Sequence, residues 1–93
     1  MKSKSISSLE WTELGELADS TSKLDNILNY SEFYIKLNGD NYTPIIPINS
    51  NVQHNARLFY GGTTDYVETL ISSGQISVSS NSSWVYPCKV FVR

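Results

Sequence analysis

"LEWTELGEL", residues 9–17, decides the fold, because it fits a helix and a strand almost equally well. For a helix it offers three acids, two later leucines and a preceding serine that can act as a cap. For a strand it offers Trp11 as an apolar anchor and Thr12, which favours β structure, whereas Gly15 weakens a helix. Leu9 and Trp11 are two positions apart, and a helix would point them in widely different directions. This spacing favours the strand.

Downstream of this stretch the chain alternates with the period of two that half-buried strands show. In "EFYIKL", residues 32–37, apolar residues occupy every second position, and "NGDN" at 38–41 ends the pattern with turn residues. "YTPIIPI" at 42–48 carries two prolines, which place it at a sheet edge or in an extended segment. The polar "NSNVQHN" at 49–55 predicts a loop.

Four more strands are predicted in the second half of the chain. They lie in "ARLFY" at 56–60, closed by Gly61 and Gly62, in "DYVETLIS" at 65–72, in "QISVSS" at 75–80, and in "WVYPCKVFVR" at 84–93. In the last of these, alternation predicts one shared face for Trp84, Tyr86, Cys88, Val90 and Val92.

Short strands separated by turn residues predict an all-β fold, a small antiparallel β-sandwich of jelly-roll-like character in a single domain. One helical option remains before residue 32. Leu24, Ile27 and Leu28 fit one helical face, and Ser22 can cap it. We expect at most one short helical turn near residues 22–28.

Length and charge limit the classes of function. The 93 residues suit one domain, expected over residues 9–93 behind a flexible polar leader at 1–8. The net charge of −2 and the scattered basic residues argue against a nucleic-acid partner, because phosphate binding needs clustered Lys and Arg. No run of about 18 apolar residues is present, so membrane insertion is not expected.

The residues give little support to catalysis. There is one histidine and one cysteine, with no Gly-rich phosphate loop and no paired metal-ligand spacing. We therefore predict neither an enzyme nor a metal or other cofactor. Cys88 has apolar neighbours at alternating positions and is expected to be a small buried residue of a strand. Trp11 and Trp84 are expected in the core.

Five residues that flank loops are the candidate ligand contacts: Tyr42, His54, Arg57, Tyr60 and Tyr66. Aromatic rings near turns can stack on sugars or pack across a subunit interface. His54 lies among polar residues, where it is either an exposed or turn-capping side chain or a ligand contact. These residues alone leave the alternatives open.

Several motifs resemble a small domain that recurs in structural proteins of phages and prophages. In the first half they are "WTELG" at 11–15, "YSEFYIKL" at 30–37 and "IIPI" at 45–48. The second half is similar in "ARLFYGG" and in the final "KVFVR". The likeness covers residues 9–93 and rests on spacing and a few anchor residues. The chain departs from such domains in its short length, without an upstream shaft, and in "SKLDNIL", which replaces a more strand-like segment.

Domains of this kind are β-sandwiches at the distal ends of tail fibres, baseplate proteins or head fibres. The resemblance implies that residues 9–17 form the first strand, with Gly15 at a bend or bulge. It also implies a virion protein, assembled in the host cytoplasm beside other virion proteins, that forms a homotrimer and attaches to a host cell-surface glycan. Trimerisation would add the burial that so short a chain lacks.

Two alternatives remain open. A free-standing carbohydrate-binding module would be monomeric and would need a row of exposed aromatic residues. A small hydrolase would need an acid/base pair in a pocket.

Overall fold

Two antiparallel β-sheets form the protein in a computed structural model that describes residues 10–61 and 64–93. The predicted leader at 1–8, together with Leu9, Gly62 and Thr63, lies outside the described residues. The strands are β1 (Thr12–Leu17), β2 (Glu32–Leu37), β3 (Asn41–Tyr42), β4 (Ile46–Pro47), β5 (Val52–His54), β6 (Leu58–Tyr60), β7 (Asp65–Ser72), β8 (Gln75–Ser80) and β9 (Cys88–Val92). The prediction of an all-β sandwich is confirmed.

The first sheet has the order β1-β9-β2-β3, and β4 also pairs with β2. β1 is therefore an edge strand. It is the first strand expected in residues 9–17, and its register with β9 shifts between Glu13 and Gly15, where the bend or bulge was expected. A Cβ added at Gly15 would lie 2.7 Å from a methyl carbon of Leu24, so glycine lets this side chain pack against the bulge.

The second sheet has the order β5-β7-β6, with β8 also paired to β7. The long strand β7 pairs with β6 near Asp65 and with β5 near Ser72. β7 and β8 form a hairpin across Ser73 and Gly74, both at positive φ, between the strands predicted at 65–72 and 75–80.

The core lies between the sheets and follows the alternation of their strands. Each strand sends every second side chain inward, so the apolar positions of β2, β7, β8 and β9 meet. The fully buried apolar side chains are Leu17, Ile27, Phe33, Ile35, Leu37, Val67, Ile71, Ile76, Val78, Val85, Cys88, Val90 and Val92.

The prediction of a loop over residues 49–55 is wrong, because Val52–His54 forms β5. Only Gln53 points inward there, opposite Ile71, and its side-chain amide donates to the Pro47 carbonyl and the Asn55 side-chain oxygen. Hydrogen bonds thus let a polar residue occupy an inward position, which the hydrophobic pattern does not reveal.

The prediction of one strand over residues 84–93 is also partly wrong. Ser83–Val85 is a 3-10 turn, and β9 begins only at Cys88, after Pro87, which has no N–H for strand pairing. Trp84 packs against the core as expected. Cys88 is fully buried in β9, as predicted.

The predicted helical turn is confirmed as a 3-10 turn at Ile27–Asn29. Its cap is Asn26, in the left-handed conformation, and not Ser22, whose hydroxyl accepts from the backbone N–H groups of Ala18 and Asp19. Leu24 lies outside the turn and forms an isolated antiparallel β-bridge with Ile76 of β8. No helix in the described part of the chain is long and apolar enough to cross a membrane.

Candidate functional site

The five predicted contact residues divide between the two sheets. His54, Arg57 and Tyr66 meet on the outer face of the second sheet, whereas Tyr42 lies on the outer face of the first. Tyr60 lies between them, half-buried against the core, and its hydroxyl donates to the Tyr42 carbonyl at 2.9 Å. Burial raises the pKa of Tyr60. Tyr60 therefore links the edges of the two sheets through this hydrogen bond. It is less accessible to a ligand than the other four predicted contact residues.

We name the first cluster the Glu68 patch: His54, Arg57, Phe59, Tyr66 and Glu68. Arg57 Nε donates to Glu68 Oε2 at 2.7 Å, and His54 Nε2 lies 3.7 Å from Glu68 Oε1. The guanidinium of Arg57 also lies over the Tyr66 ring, with its carbon 4.0 Å from the ring centre. One carboxylate and one ring thus fix the Arg57 side chain from two sides.

The charge state of this patch follows from its contacts. The hydrogen bond from Arg57 holds the pKa of Glu68 below its usual value, assisted by the charges of Arg57 and His54. The same bond raises the pKa of Arg57. Both groups are therefore ionised at neutral pH, and Glu68 keeps no proton with which to act as a general acid.

Phe59 gives the patch an open aromatic surface. It pairs with Tyr66 across β6 and β7, and 61% of its surface is exposed. Among the described residues no other ring packs on it. Phe59 and Glu68 were not among the site residues predicted from the sequence, although alternation in β6 and β7 puts both on the outward faces.

A shallow depression lies on the same sheet, beside the patch. It is lined by Lys23, Leu70, Ser72, Ser73, Gln75 and Ser77 and has a volume of about 170 Å³. Pockets for small molecules usually begin near 300 Å³. The depression is therefore too small to enclose a small molecule, and a ligand bound there would lie on an open surface.

We name the second cluster the aromatic face: Trp11, Tyr34, Tyr42, Phe91 and Arg93. Tyr34 lies at its centre, 4.7 Å from Trp11 and 5.1 Å from Phe91 between ring centres, and 6.0 Å from Tyr42. The Arg93 guanidinium lies 4.1 Å from the Trp11 ring centre and pairs with Glu32. This face is a continuous set of mutually packed rings.

Trp11 was predicted in the core, and this is wrong. It is partly exposed and packs across Tyr34, an outward residue of β2. The alternation of β2 and β9 indicates that Tyr34 and Phe91 point outward, but only the pairing of these two strands places them opposite each other. That pairing joins distant parts of the chain, and no local pattern in the sequence predicts it.

The single cysteine and the single histidine of the sequence lie in different sheets and do not meet. Cys88 is buried, and burial is the main cause that raises its pKa to about 12, so its thiol stays protonated. His54 faces Glu68 on the outer surface of the other sheet. Within residues 10–61 and 64–93, no three His, Cys, Asp or Glu side chains gather in a way that could hold a metal ion.

Comparison with models of protein families, with curated proteins and with solved structures finds no match to this chain.

Proposed function

We propose that this chain is a non-catalytic attachment domain of a phage particle and contacts host-surface carbohydrate through the Glu68 patch. The observation that supports this most directly is the exposed Phe59 ring beside the ordered Arg57–Glu68 ion pair. Together they offer a sugar an apolar surface and fixed polar groups on one shallow face.

Each part of the patch suits one feature of a sugar. The apolar C–H face of a pyranose can pack on the Phe59 ring, and its hydroxyls can bond the charged groups beside it. Because Glu68 and the Tyr66 ring already hold Arg57, little side-chain entropy is lost when a ligand binds. This order favours the patch as a recognition surface.

Binding without catalysis fits the charges of the patch. A glycosidase of the usual kind needs one carboxyl that keeps a proton and a second carboxyl nearby. Glu68 has a lowered pKa and lies beside two basic side chains rather than another acid. The charges of the patch therefore suit the binding of a sugar and not its hydrolysis.

The assignment to a virion rests on the motifs at 11–15, 30–37 and 45–48 and on the β-sandwich fold. As part of this proposal, the chain forms a homotrimer beside other virion proteins, and particles carrying it assemble in the host cytoplasm. A small β-sandwich displayed in several copies gains affinity for a repeated surface glycan by multivalency.

The test is a screen of the purified chain on an array of bacterial surface glycans, followed by calorimetric titration of a bound glycan. We expect Phe59→Ala to weaken binding about tenfold, the equivalent of one aromatic contact. Ile45→Ala is the control, because Ile45 is also exposed but lies between β3 and β4. Equal affinities of the two variants, or no glycan bound at all, would overturn the proposal.

A second candidate, a free-standing carbohydrate-binding module, is favoured by the connected rings of the aromatic face. Such a module would be monomeric and would lose its glycan on Trp11→Ala rather than on Phe59→Ala. The same titrations, done together with a measurement of solution mass, separate the two candidates.

A further inference from the structure

We propose that Asn38 is a site of spontaneous deamidation, in which attack by the backbone nitrogen of Gly39 converts the Asn38 side-chain amide into a carboxylate. This modification is separate from the proposed sugar binding, because Asn38 directly follows β2 of the first sheet, whereas the Glu68 patch lies on the second.

The sequence singles out this position. Asn38 is the only asparagine of the chain that is followed by glycine. Glycine has no Cβ to shield its backbone nitrogen or to restrict the rotation that brings this nitrogen to the preceding side chain. The attack is therefore easier at Asn38 than at any other asparagine of the sequence.

The loop after β2 leaves both reacting groups free. Residues 38–40 form a three-residue connection to β3, between the paired residues Leu37 and Asn41. Asn38 is exposed, and within the described part of the chain no hydrogen bond holds its side-chain amide. The Gly39 N–H likewise donates no hydrogen bond to a residue of 10–61 or 64–93. The amide carbon and the attacking nitrogen can therefore approach each other without breaking a bond within the protein.

Asn81 shows the opposite arrangement. Its Oδ1 accepts from the Tyr66 N–H at 2.9 Å, and its Nδ2 donates to the Thr64 carbonyl at 2.7 Å. The nitrogen that would attack it belongs to Ser82, and this N–H already donates to the Ser80 hydroxyl at 3.1 Å. Asn81 is therefore held at both reacting groups and provides an internal reference for the rate at Asn38.

The reaction consumes only water. The Gly39 nitrogen loses its proton and forms a bond to Asn38 Cγ. The bond from Cγ to the side-chain nitrogen breaks, and that nitrogen leaves, with one added proton, as ammonia. Water then opens the resulting succinimide ring, adding OH to one of the two ring carbonyl carbons and H to the ring nitrogen. Opening at one carbonyl gives aspartate, and opening at the other gives isoaspartate, in which the main chain runs through the former side chain.

The product changes the edge of the first sheet. The new carboxyl is ionised at neutral pH, so the formal net charge changes from −2 to −3. Isoaspartate also adds one carbon to the main chain inside a loop of three residues. β3 has only two residues with which to keep its pairing to β2, at Asn41 and Tyr42. We therefore expect the isoaspartate form to loosen β3.

The test is storage of the purified chain at neutral and at mildly alkaline pH, followed by digestion with trypsin and mass spectrometry. Trypsin cleaves after Lys36, Arg57 and Lys89, so Asn38 and Asn81 lie in separate peptides. We expect a mixture of aspartate and isoaspartate at position 38, while Asn81 keeps its amide. Conversion should be faster at the higher pH, because the attacking nitrogen must lose its proton. Ion exchange of the stored chain should show the same fraction shifted by one negative charge.

Two variants at exposed asparagines sharpen the test. Asn38→Gln should lose the acidic fraction formed over the same period, because the longer side chain must close a larger ring. Asn51→Gln is the matched control and should convert at the rate of the unchanged chain, since Asn51 is also exposed but precedes the β-branched Val52. Three results would overturn the proposal: an amide retained at Asn38 at both pH values, conversion as fast at Asn51 or Asn81, or aspartate as the sole product.

Discussion

The outer faces of the two sheets use aromatic residues in opposite ways. On the first sheet, Tyr34 contacts three other rings and is half-buried by them. On the second sheet, Phe59 is mostly exposed and contacts no other ring of the described residues. Packed rings stabilise the domain that carries them, whereas an exposed ring leaves its contact energy available to a ligand.

The charged residues of the two faces are also arranged differently. The first sheet carries paired charges of both signs around its rings, while the outer face of the second has the ion pair of Arg57 with Glu68, beside His54. Val52 and Leu70 are also exposed on the second sheet, at 68% and 41%, but on separate strands beside the polar residues Ser72 and His54. Scattered apolar residues of this kind are common on protein surfaces.

The largest expected effect comes from truncating the central ring of the aromatic face. Tyr34→Ala should lower the free energy of unfolding by about 2–3 kcal/mol, because it removes three ring contacts and the burial they provide. Phe59→Ala should change it by less than about 0.5 kcal/mol, since the ring is exposed. Urea denaturation of both variants, at a concentration where the chain is monomeric, measures the difference. Equal losses would remove the distinction between the two faces.

A smaller effect is expected from the two arginines that lie over aromatic rings. Arg93→Ala should destabilise the fold by about 1 kcal/mol, because Arg93 covers Trp11 and pairs with Glu32 in a half-buried position. Arg57→Ala should change stability little, because its guanidinium is more exposed. Thermal unfolding of the two variants compares them directly, and a greater loss at Arg57 would contradict this ranking.

Much of the fold was predictable because alternation is a local signal. The bounds of β2, β7 and β8 agree with "EFYIKL", "DYVETLIS" and "QISVSS", where buried residues, most of them apolar, alternate with more exposed ones. β5 was not predictable in this way. Its one inward residue, Gln53, is held by side-chain hydrogen bonds that form only in the folded chain.

The candidate site was less predictable, because it depends on which strands become neighbours. His54, Arg57 and Tyr66 come from three separate stretches of sequence, and β7 brings them together. Position beside a loop did not separate Tyr60 from Tyr66, since alternation puts one inward and the other outward. Phe91 and Tyr34 are 57 positions apart and meet only through the pairing of β2 with β9.

The smallest expected effect is a dependence of stability on pH that belongs to the Glu68 patch. Because the folded state holds the pKa of Glu68 below its ordinary value of 4.5, the ionised carboxylate contributes stability above that pH. This contribution is lost as the pH falls from 4.5 through the lower pKa of the folded state. Glu68→Gln should therefore show a weaker fall in urea midpoint than the unchanged chain over this acidic range.

Arg57→Ala should weaken the fall of the urea midpoint in the same way, because Arg57 is the main cause of the lowered pKa of Glu68. The double variant should show no further weakening. Additive effects of the two substitutions would show that separate contacts act on the two side chains, and the patch would then lose the preorganisation that favours it as the sugar-binding surface.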